Sequence, residues 1–165
     1  MSHKEIVYLS LGSNLGNSKK LLQSACQSIR MLPNVTEVQF SSIYRTAPIS
    51  LLPQPDYLNL GCSLITTLDP FTLFTYLEEI EKNLGKIPKP KDAPRKIDID
   101  ILYFGSQTLN SEQLVIPHPR IKERLFVLKP LLDLTTSLPN IPSLPEYVEP
   151  LMSSQRVLLL SLIHI

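Results

Sequence analysis

The sequence predicts an α+β sandwich in the order strand, helix, strand, strand, helix, strand, with an additional C-terminal helical segment. Three observations carry that expectation. Two stretches place apolar residues at helical spacing, and they are interleaved with four whose apolar residues alternate or run together as in a strand. The 165 residues show no internal repeat and no linker-like shift in composition, so one domain with its own core is expected. The chain has 15 prolines and only 5 glycines; proline sits poorly inside helices and central strands, so several stiff loops should separate the elements.

Ile6 to Leu11 reads as a buried strand, closed by Gly12-Ser-Asn-Leu-Gly-Asn17. Ser18 can then cap a helix with Leu21, Leu22, Ala25, Cys26, Ile29 and Leu32 on one face, and Pro33-Asn34 stops it. A strand follows from Val35 to Tyr44, with Val38, Phe40 and Tyr44 on one side. A loop holding Pro48, Pro53 and Pro55 leads to a second strand in which Leu58, Leu60, Cys62 and Leu64 alternate. Asp69-Pro70 joins a capping side chain to proline at the first helical position. Leu73, Phe74, Leu77, Ile80 and Leu84 give that helix its stripe, and Gly85 is placed to end it. A basic, proline-rich loop from Lys86 to Lys96 precedes the strand Ile97 to Phe104. A helical segment from Pro119 to Asp133 should pack outside this unit, and no element is assigned after Ser137, where four more prolines follow. The order is the split βαβ pattern of ferredoxin-like α+β domains.

An apolar share of 43%, a charged share of 19% and a net charge of +1 fit a soluble globular protein and argue against a disordered, collagenous or strongly nucleic-acid-binding chain. Cys26 and Cys62 lie in apolar-periodic segments without CxxC spacing, which reads as two buried thiols in a reducing compartment. No hydrophobic signal region follows Met1, and Val157 to Ile163 is far shorter than the ~20 residues of a membrane span. A cytoplasmic protein without a membrane partner is expected.

The sharpest chemical feature is Asp98-Ile-Asp100 inside an apolar strand. With a period of two, Ile97, Ile99 and Ile101 face one side and the two aspartates the other, roughly 7 Å apart at Cα. That spacing suits oxygen-loving cations, which bind phosphates through a few carboxylates while keeping several waters. Alone, the pair equally fits a half-exposed strand face. Its neighbourhood favours the chemistry: from Lys86 to Lys129 there are nine Lys/Arg against five Asp/Glu. Cations beside paired carboxylates are what a metal–polyphosphate site needs. Nucleic acid is a weaker candidate, because the surplus is modest and stacking aromatics are scarce there. His118, between Pro117 and Pro119 and followed by Arg120, Lys122 and Arg124, can donate to phosphate oxygens or serve as an ordinary loop residue. A P-loop, a dinucleotide fingerprint and zinc-ligand spacing are all missing. A second site is indicated by Tyr57 and Asn59, i and i+2 on the polar side of a strand, since an aromatic ring beside a primary amide can stack on a flat heterocycle and read its edge. An ordinary polar sheet face has the same pattern.

Taken together, LGSNLG, YRTAP with QPDYLN, APRKIDIDILYFG and IPHPRIKER resemble the 6-hydroxymethyl-7,8-dihydropterin pyrophosphokinases of folate synthesis, in the family's order over roughly residues 6 to 135. The resemblance implies a ferredoxin-like fold, ATP as co-substrate with two Mg²⁺ ions, and transfer of pyrophosphate to the pterin hydroxymethyl group with release of AMP. It implies Asp98 and Asp100 as the metal-bridging catalytic carboxylates and Arg95 as a catalytic, phosphate-binding residue. Ile101, His118 and Arg124 join Arg95 as ATP-binding positions, and Thr46, Pro48, Ile49, Tyr57, Asn59 and Phe126 as pterin-binding ones. Such a reaction needs positioning and charge neutralisation rather than a covalent nucleophile, in keeping with the lack of a Ser/His/Asp arrangement.

The chain departs from the family in the loop Lys86-Ile-Pro-Lys-Pro-Lys-Asp-Ala-Pro-Arg95, where lysines replace several arginines and no tryptophan stands, and at Gln113, often arginine. Lysine supplies the charge without the bidentate fork. Residues 1–156 are expected to form the single catalytic domain. From Val157 to Ile165 the sequence leaves the family pattern, as if foreign or as if the chain were cut from a longer one fused to, or working beside, dihydropteroate synthase. Two other readings stay open: a palm-type nucleotidyltransferase, which also carries DxD on a strand but releases pyrophosphate, and a non-catalytic ferredoxin-like ligand-binding module.

Overall fold

The computed structural model describes residues 3–47, 53–86 and 96–161. Eight strands and four α-helices appear in it: β1 (Glu5–Ser13), α1 (Ser18–Arg30), β2 (Val35–Phe40), β3 (Ile43–Thr46), β4 (Tyr57–Thr66), α2 (Pro70–Asn83), β5 (Asp98–Phe104), β6 (Leu109–Asn110), β7 (Val115–Ile116), α3 (Leu125–Leu131), α4 (Leu144–Leu151) and β8 (Val157–Ser161). The main sheet runs β5-β1-β4-β3-β8, with β2 also paired to β4, and every pairing is antiparallel. β6 and β7 form a separate hairpin.

One face of the sheet is apolar, as the alternation predicts. Val7, Leu9, Leu11, Leu60, Cys62, Leu64, Ile99 and Ile101 pack there against Leu22, Cys26 and Ile29 of α1 and Leu73, Leu77 and Ile80 of α2. Each fully buried side chain of this size stabilises the fold by ~1.5–3 kcal/mol. Asp69 caps α2, its carboxylate accepting the Thr72 N–H at 3.0 Å, with Pro70 in the first turn. Gly85, at φ 95°, ends it. The Gly85 N–H then reaches the Lys82 carbonyl and the Lys86 N–H the Glu81 carbonyl, both at 3.0 Å, closing the last turn back on itself. Cys26 and Cys62 are free and buried, and burial pushes the Cys26 thiol up to about 12.

The structure corrects four local expectations. Asn17, not Ser18, caps α1, its side chain accepting from Lys20 N at 3.2 Å; the Ser18 hydroxyl instead accepts from Ser13. The strand expected from Val35 to Tyr44 is two strands. Phe40 lies opposite Cys62 and Tyr44 opposite Asn59, so four steps on one side span three on the other. One extra residue reverses the facing of everything after it, which puts Tyr44 on the face away from Phe40. The serines at the break satisfy its backbone: the Ser41 hydroxyl oxygen accepts the Gly61 N–H at 2.7 Å, and the Ser42 N–H donates to Asp133 at 3.0 Å.

The segment Pro119 to Asp133 is a 3-10 turn (Ile121–Glu123) and the short helix α3, separated by an extended Arg124. Lastly, the proline-rich stretch after Ser137 does hold an element, α4, with proline in its first turn. The helices α3 and α4 cover the second face of the sheet around Leu102, Tyr103, Leu125, Leu128, Leu131, Leu144 and Val148. Asp133, just beyond α3, fastens that layer to the sheet by accepting from the Tyr44 hydroxyl at 2.9 and 3.0 Å. Residues 157–161 of the segment set apart in the sequence form β8, which pairs with β3 as the outer strand.

Candidate active site

β5 is an edge strand whose Asp98 and Asp100 project from the face opposite Ile99 and Ile101, as the period of two requires. The pairing register carries that row across the sheet: Asp98 lies opposite Gly12 of β1, Gly12 opposite Asn59 of β4, and Asn59 opposite Tyr44 of β3. With strands ~4.8 Å apart, the carboxylate pair and the Asn59 amide are therefore about 10 Å from each other along one face. Gly12 between them has no side chain to fill the gap; a Cβ there would stand 2.8 Å from Asn59 Oδ1 and 3.7 Å from Tyr57.

On the β4 side, Asn59 and Thr46 are buried, at 3% and 4% exposure, and the Asn59 amide donates to the Thr46 hydroxyl oxygen at 2.8 Å. That bond orients the amide and leaves its carbonyl oxygen turned toward Gly12. Thr46 is opposite Tyr57, so Thr46, Tyr57 and Asn59 meet at one end of the sheet. The loop after β1 is stitched to the approach to β4, with the Asn14 amide donating to Gln54 Oε1 at 2.7 Å and to the Pro55 carbonyl at 3.0 Å. Phe126 lies on α3, which packs over β3 and β4, and the Arg124 guanidinium stands 5.6 Å from its ring centre.

On the β5 side, Glu81 of α2 joins the aspartates. It is 7% exposed, and its Oε2 accepts the Ile99 N–H at 2.9 Å, the backbone donor between Asp98 and Asp100. Lys86 bridges this oxygen and Asp98 Oδ1, at 2.8 Å each. Asp100 is exposed to solvent and stands among charged neighbours. Loss of hydration, then the charges of Asp98 and Glu81, push its carboxyl up to about 6, while Lys86 and Arg124 act the other way. His118 is tied to β5 by its N–H to the Leu102 carbonyl at 3.0 Å. Burial, followed by the charges of Arg124 and Arg120, holds its imidazole below the usual value, so it is neutral at pH 7. Arg124 thus acts on both Asp100 and His118.

Of the residues singled out in the sequence, the structure gathers Asp98, Asp100, His118 and Arg124 around β5, Tyr57 and Asn59 two strands away on β4, and Thr46 on the next strand, β3. It does not bring the Ile101 side chain to that face: Ile101 is 4% exposed and lies in the core beneath. Arg95, Pro48 and Ile49 lie outside the described residues. Sequence reasoning missed Gly12 and Glu81. For Glu81 a signal existed, since Leu73, Leu77 and Glu81 are spaced by four and a carboxylate on the buried stripe of a helix asks for a partner.

Among the described residues no three His, Cys, Asp or Glu side chains form a metal cluster. Asp98 and Asp100 fit magnesium nonetheless, because that ion is held by one or two carboxylates with the remaining places left to water and substrate phosphates. Among the described residues no helix is long and apolar enough to cross a membrane.

Residues 8–136 match the family described as 7,8-dihydro-6-hydroxymethylpterin-pyrophosphokinase (HPPK). The chain is 40% identical over 129 residues to the 2-amino-4-hydroxy-6-hydroxymethyldihydropteridine pyrophosphokinase of Bacillus subtilis, covering 78% of this chain and 77% of that one. It is 42% identical over 134 residues to the folic acid synthesis protein fol1 of Pneumocystis carinii, covering 81% of this chain but 18% of that protein. Against the bifunctional protein FolKE of Lactococcus lactis subsp. cremoris the identity is 34%, over 38% of its length. The fold is also that of the HPPK-DHPS crystallised in complex with substrates, with a TM-score of 0.70 at 16% identity over 92% of this chain and 44% of that one. Plasmodium falciparum HPPK-DHPS with SDX-DHP gives a TM-score of 0.72, again at 16% identity, over 93% of this chain and 45% of that one. The chain belongs to the 7,8-dihydro-6-hydroxymethylpterin-pyrophosphokinase family, the pyrophosphokinases of folate biosynthesis.

Proposed function

We propose that this chain transfers pyrophosphate from ATP to 6-hydroxymethyl-7,8-dihydropterin, releasing AMP. The observation that carries this reading is the row Asp98–Gly12–Asn59, a carboxylate pair and an oriented amide on one sheet face with a glycine between them. Asn59, Thr46 and Tyr57 bind and orient the flat heterocycle together with Phe126 of α3, and the family resemblance adds Pro48 and Ile49 as pterin-binding positions. Asp98 and Asp100 would hold the magnesium ions of the nucleotide, which would supply neutralisation of the polyphosphate charge and polarisation of the phosphorus under attack. Arg124, Arg95 and the neutral His118 donate to phosphate oxygens, and Ile101 meets the adenosine through its backbone, since its side chain is in the core. The pterin hydroxyl attacks the β-phosphorus in line and AMP leaves, so that rate comes from positioning and charge placement.

The antiparallel order β5-β1-β4-β3, with α1 and α2 on one face, supports a ferredoxin-like assignment of the sheet. We take residues 1–156 as the catalytic domain and a cytoplasmic location for it. The HPPK-DHPS likenesses support a protein that works beside, or fused to, dihydropteroate synthase.

The test is to incubate the protein with ATP, Mg²⁺ and 6-hydroxymethyl-7,8-dihydropterin and to identify the nucleotide product. AMP is expected. ADP would contradict the reaction, released pyrophosphate would point to a nucleotidyltransferase, and no product to a binding module.

A further inference from the structure

Lys86 occupies an unusual place for a lysine at the end of a helix. Gly85 takes up the left-handed turn, and the Lys86 N–H bonds the Glu81 carbonyl at 3.0 Å, so the chain doubles back over the last turn of α2. Its ammonium then lies 2.8 Å from Glu81 Oε2 and 2.8 Å from Asp98 Oδ1. The Glu81 oxygen is itself fixed by the Ile99 N–H at 2.9 Å. Hence one protein cation is seated on one of the two carboxylates that face the polyphosphate site. Neither partner is sealed from water: the Lys86 and Asp98 side chains keep 27% and 30% of their exposure.

An ammonium and a divalent cation set against the same oxygen, Asp98 Oδ1, repel each other across a few ångströms. Mg²⁺ also demands carboxylate oxygens at about 2.0–2.1 Å in near-octahedral geometry, closer than any ammonium approaches. We propose that Lys86 is a built-in counter-ion of the cation site, seated on Asp98 in the metal-free protein and displaced from it when a divalent cation binds. Its backbone bond to Glu81 keeps it tethered during the exchange. The arrangement neutralises Asp98 beside Glu81, orients it, and makes the bare protein a poor binder of free divalent cation. The inference rests on the proposed role of Asp98 and Asp100 as cation ligands.

Mn²⁺ alone, with no nucleotide, is the probe, titrated into the full chain and followed by its electron paramagnetic resonance. Lys86→Met is expected to bind Mn²⁺ at least tenfold more tightly than wild type, and Asp98→Asn to lose binding. If Asp98→Asn loses binding while Lys86→Met matches or falls below wild type, the role of Lys86 is overturned and the ligand assignment stands. If Asp98→Asn binds like wild type, both fall. The wild-type chain with ¹³Cε-labelled lysine gives a reading independent of whether Lys86→Met folds. One lysine resonance should move on saturation with Mg²⁺, and should not move in Asp98→Asn. No moving resonance in the wild type overturns the proposal.

Discussion

Replacing Asp100 by asparagine should stabilise the metal-free protein while destroying its turnover. The carboxyl of Asp100 is pushed from 3.8 up to about 6 by lost hydration and by Asp98 and Glu81. A shift of roughly two units corresponds to about 3 kcal/mol at full value. Asp100 is open to solvent, which screens that cost, so about 1 kcal/mol is the fair expectation. The sign follows from the two states. Below pH ~4 both folded and unfolded Asp100 hold the proton, and the charge costs nothing. Between pH ~4 and about 6 the unfolded state has lost its proton while the folded state retains it, so stability falls, and above about 6 the loss is complete. The uncharged amide of the Asp100→Asn variant carries no such cost. Urea unfolding without divalent cations should therefore place the Asp100→Asn midpoint ~0.5 M above wild type at pH 8, for a slope of about 2 kcal/mol/M, and level with it at pH 4. Adding Mg²⁺ with an unreactive ATP analogue should reverse the order, because only the wild type gains the ligand-binding free energy. A variant less stable than wild type at pH 8 without metal, or a gain that persists at pH 4, would refute the electrostatic account of this strand.

Gly12→Ala puts a Cβ 2.8 Å from Asn59 Oδ1, so pterin affinity measured by fluorescence should fall about tenfold or more, with ATP-analogue binding changed far less; an equal loss of both would mean global damage. Asp69→Ala removes the Thr72 N–H bond that caps α2 and should cost ~1 kcal/mol, a fall of about 2–4 °C in Tm. Because hydrogen bonds from Thr72 hold the Asp69 carboxyl below 3.8, that difference should be full above pH ~4 and fade as the pH falls through the lowered value. The His118 imidazole, held down by burial and by Arg124 and Arg120, should titrate below 6.5 by NMR. Its neutral form is the one the fold favours, so acidification below pH ~6.5 should cost stability that His118→Gln retains.

Much of this fold was legible because single residues announce their geometry. Asp69-Pro70 is a strong helix start and Gly85 is well placed to end the helix, and both do so. The alternation Ile97/Asp98/Ile99/Asp100 is enough by itself to place the carboxylates on one face. The break at Ser41-Ser42 was hidden because Val38, Phe40 and Tyr44 keep period two across it, and only the extra residue in the pairing shows that Tyr44 has changed face. Asn17 and Ser18 are both good caps in adjacent positions, and reach to the Lys20 N–H decided between them. The gap at Gly12 was illegible for a different reason: it belongs to the register of β5, β1 and β4, which no single segment encodes. Glu81 could have been found from its place on the buried stripe, but its bond to the Ile99 N–H depends on β5 being an edge strand.

The central claim concerns which bond of ATP breaks, and ³¹P NMR of the turning-over mixture reads that directly. With the β-phosphorus attacked, the β and γ signals of ATP should move together to a new coupled pair on the pterin, while the α-phosphorus becomes the singlet of AMP. Loss of the β–γ coupling, with only the γ-phosphorus transferred, or a free pyrophosphate singlet, would contradict the account.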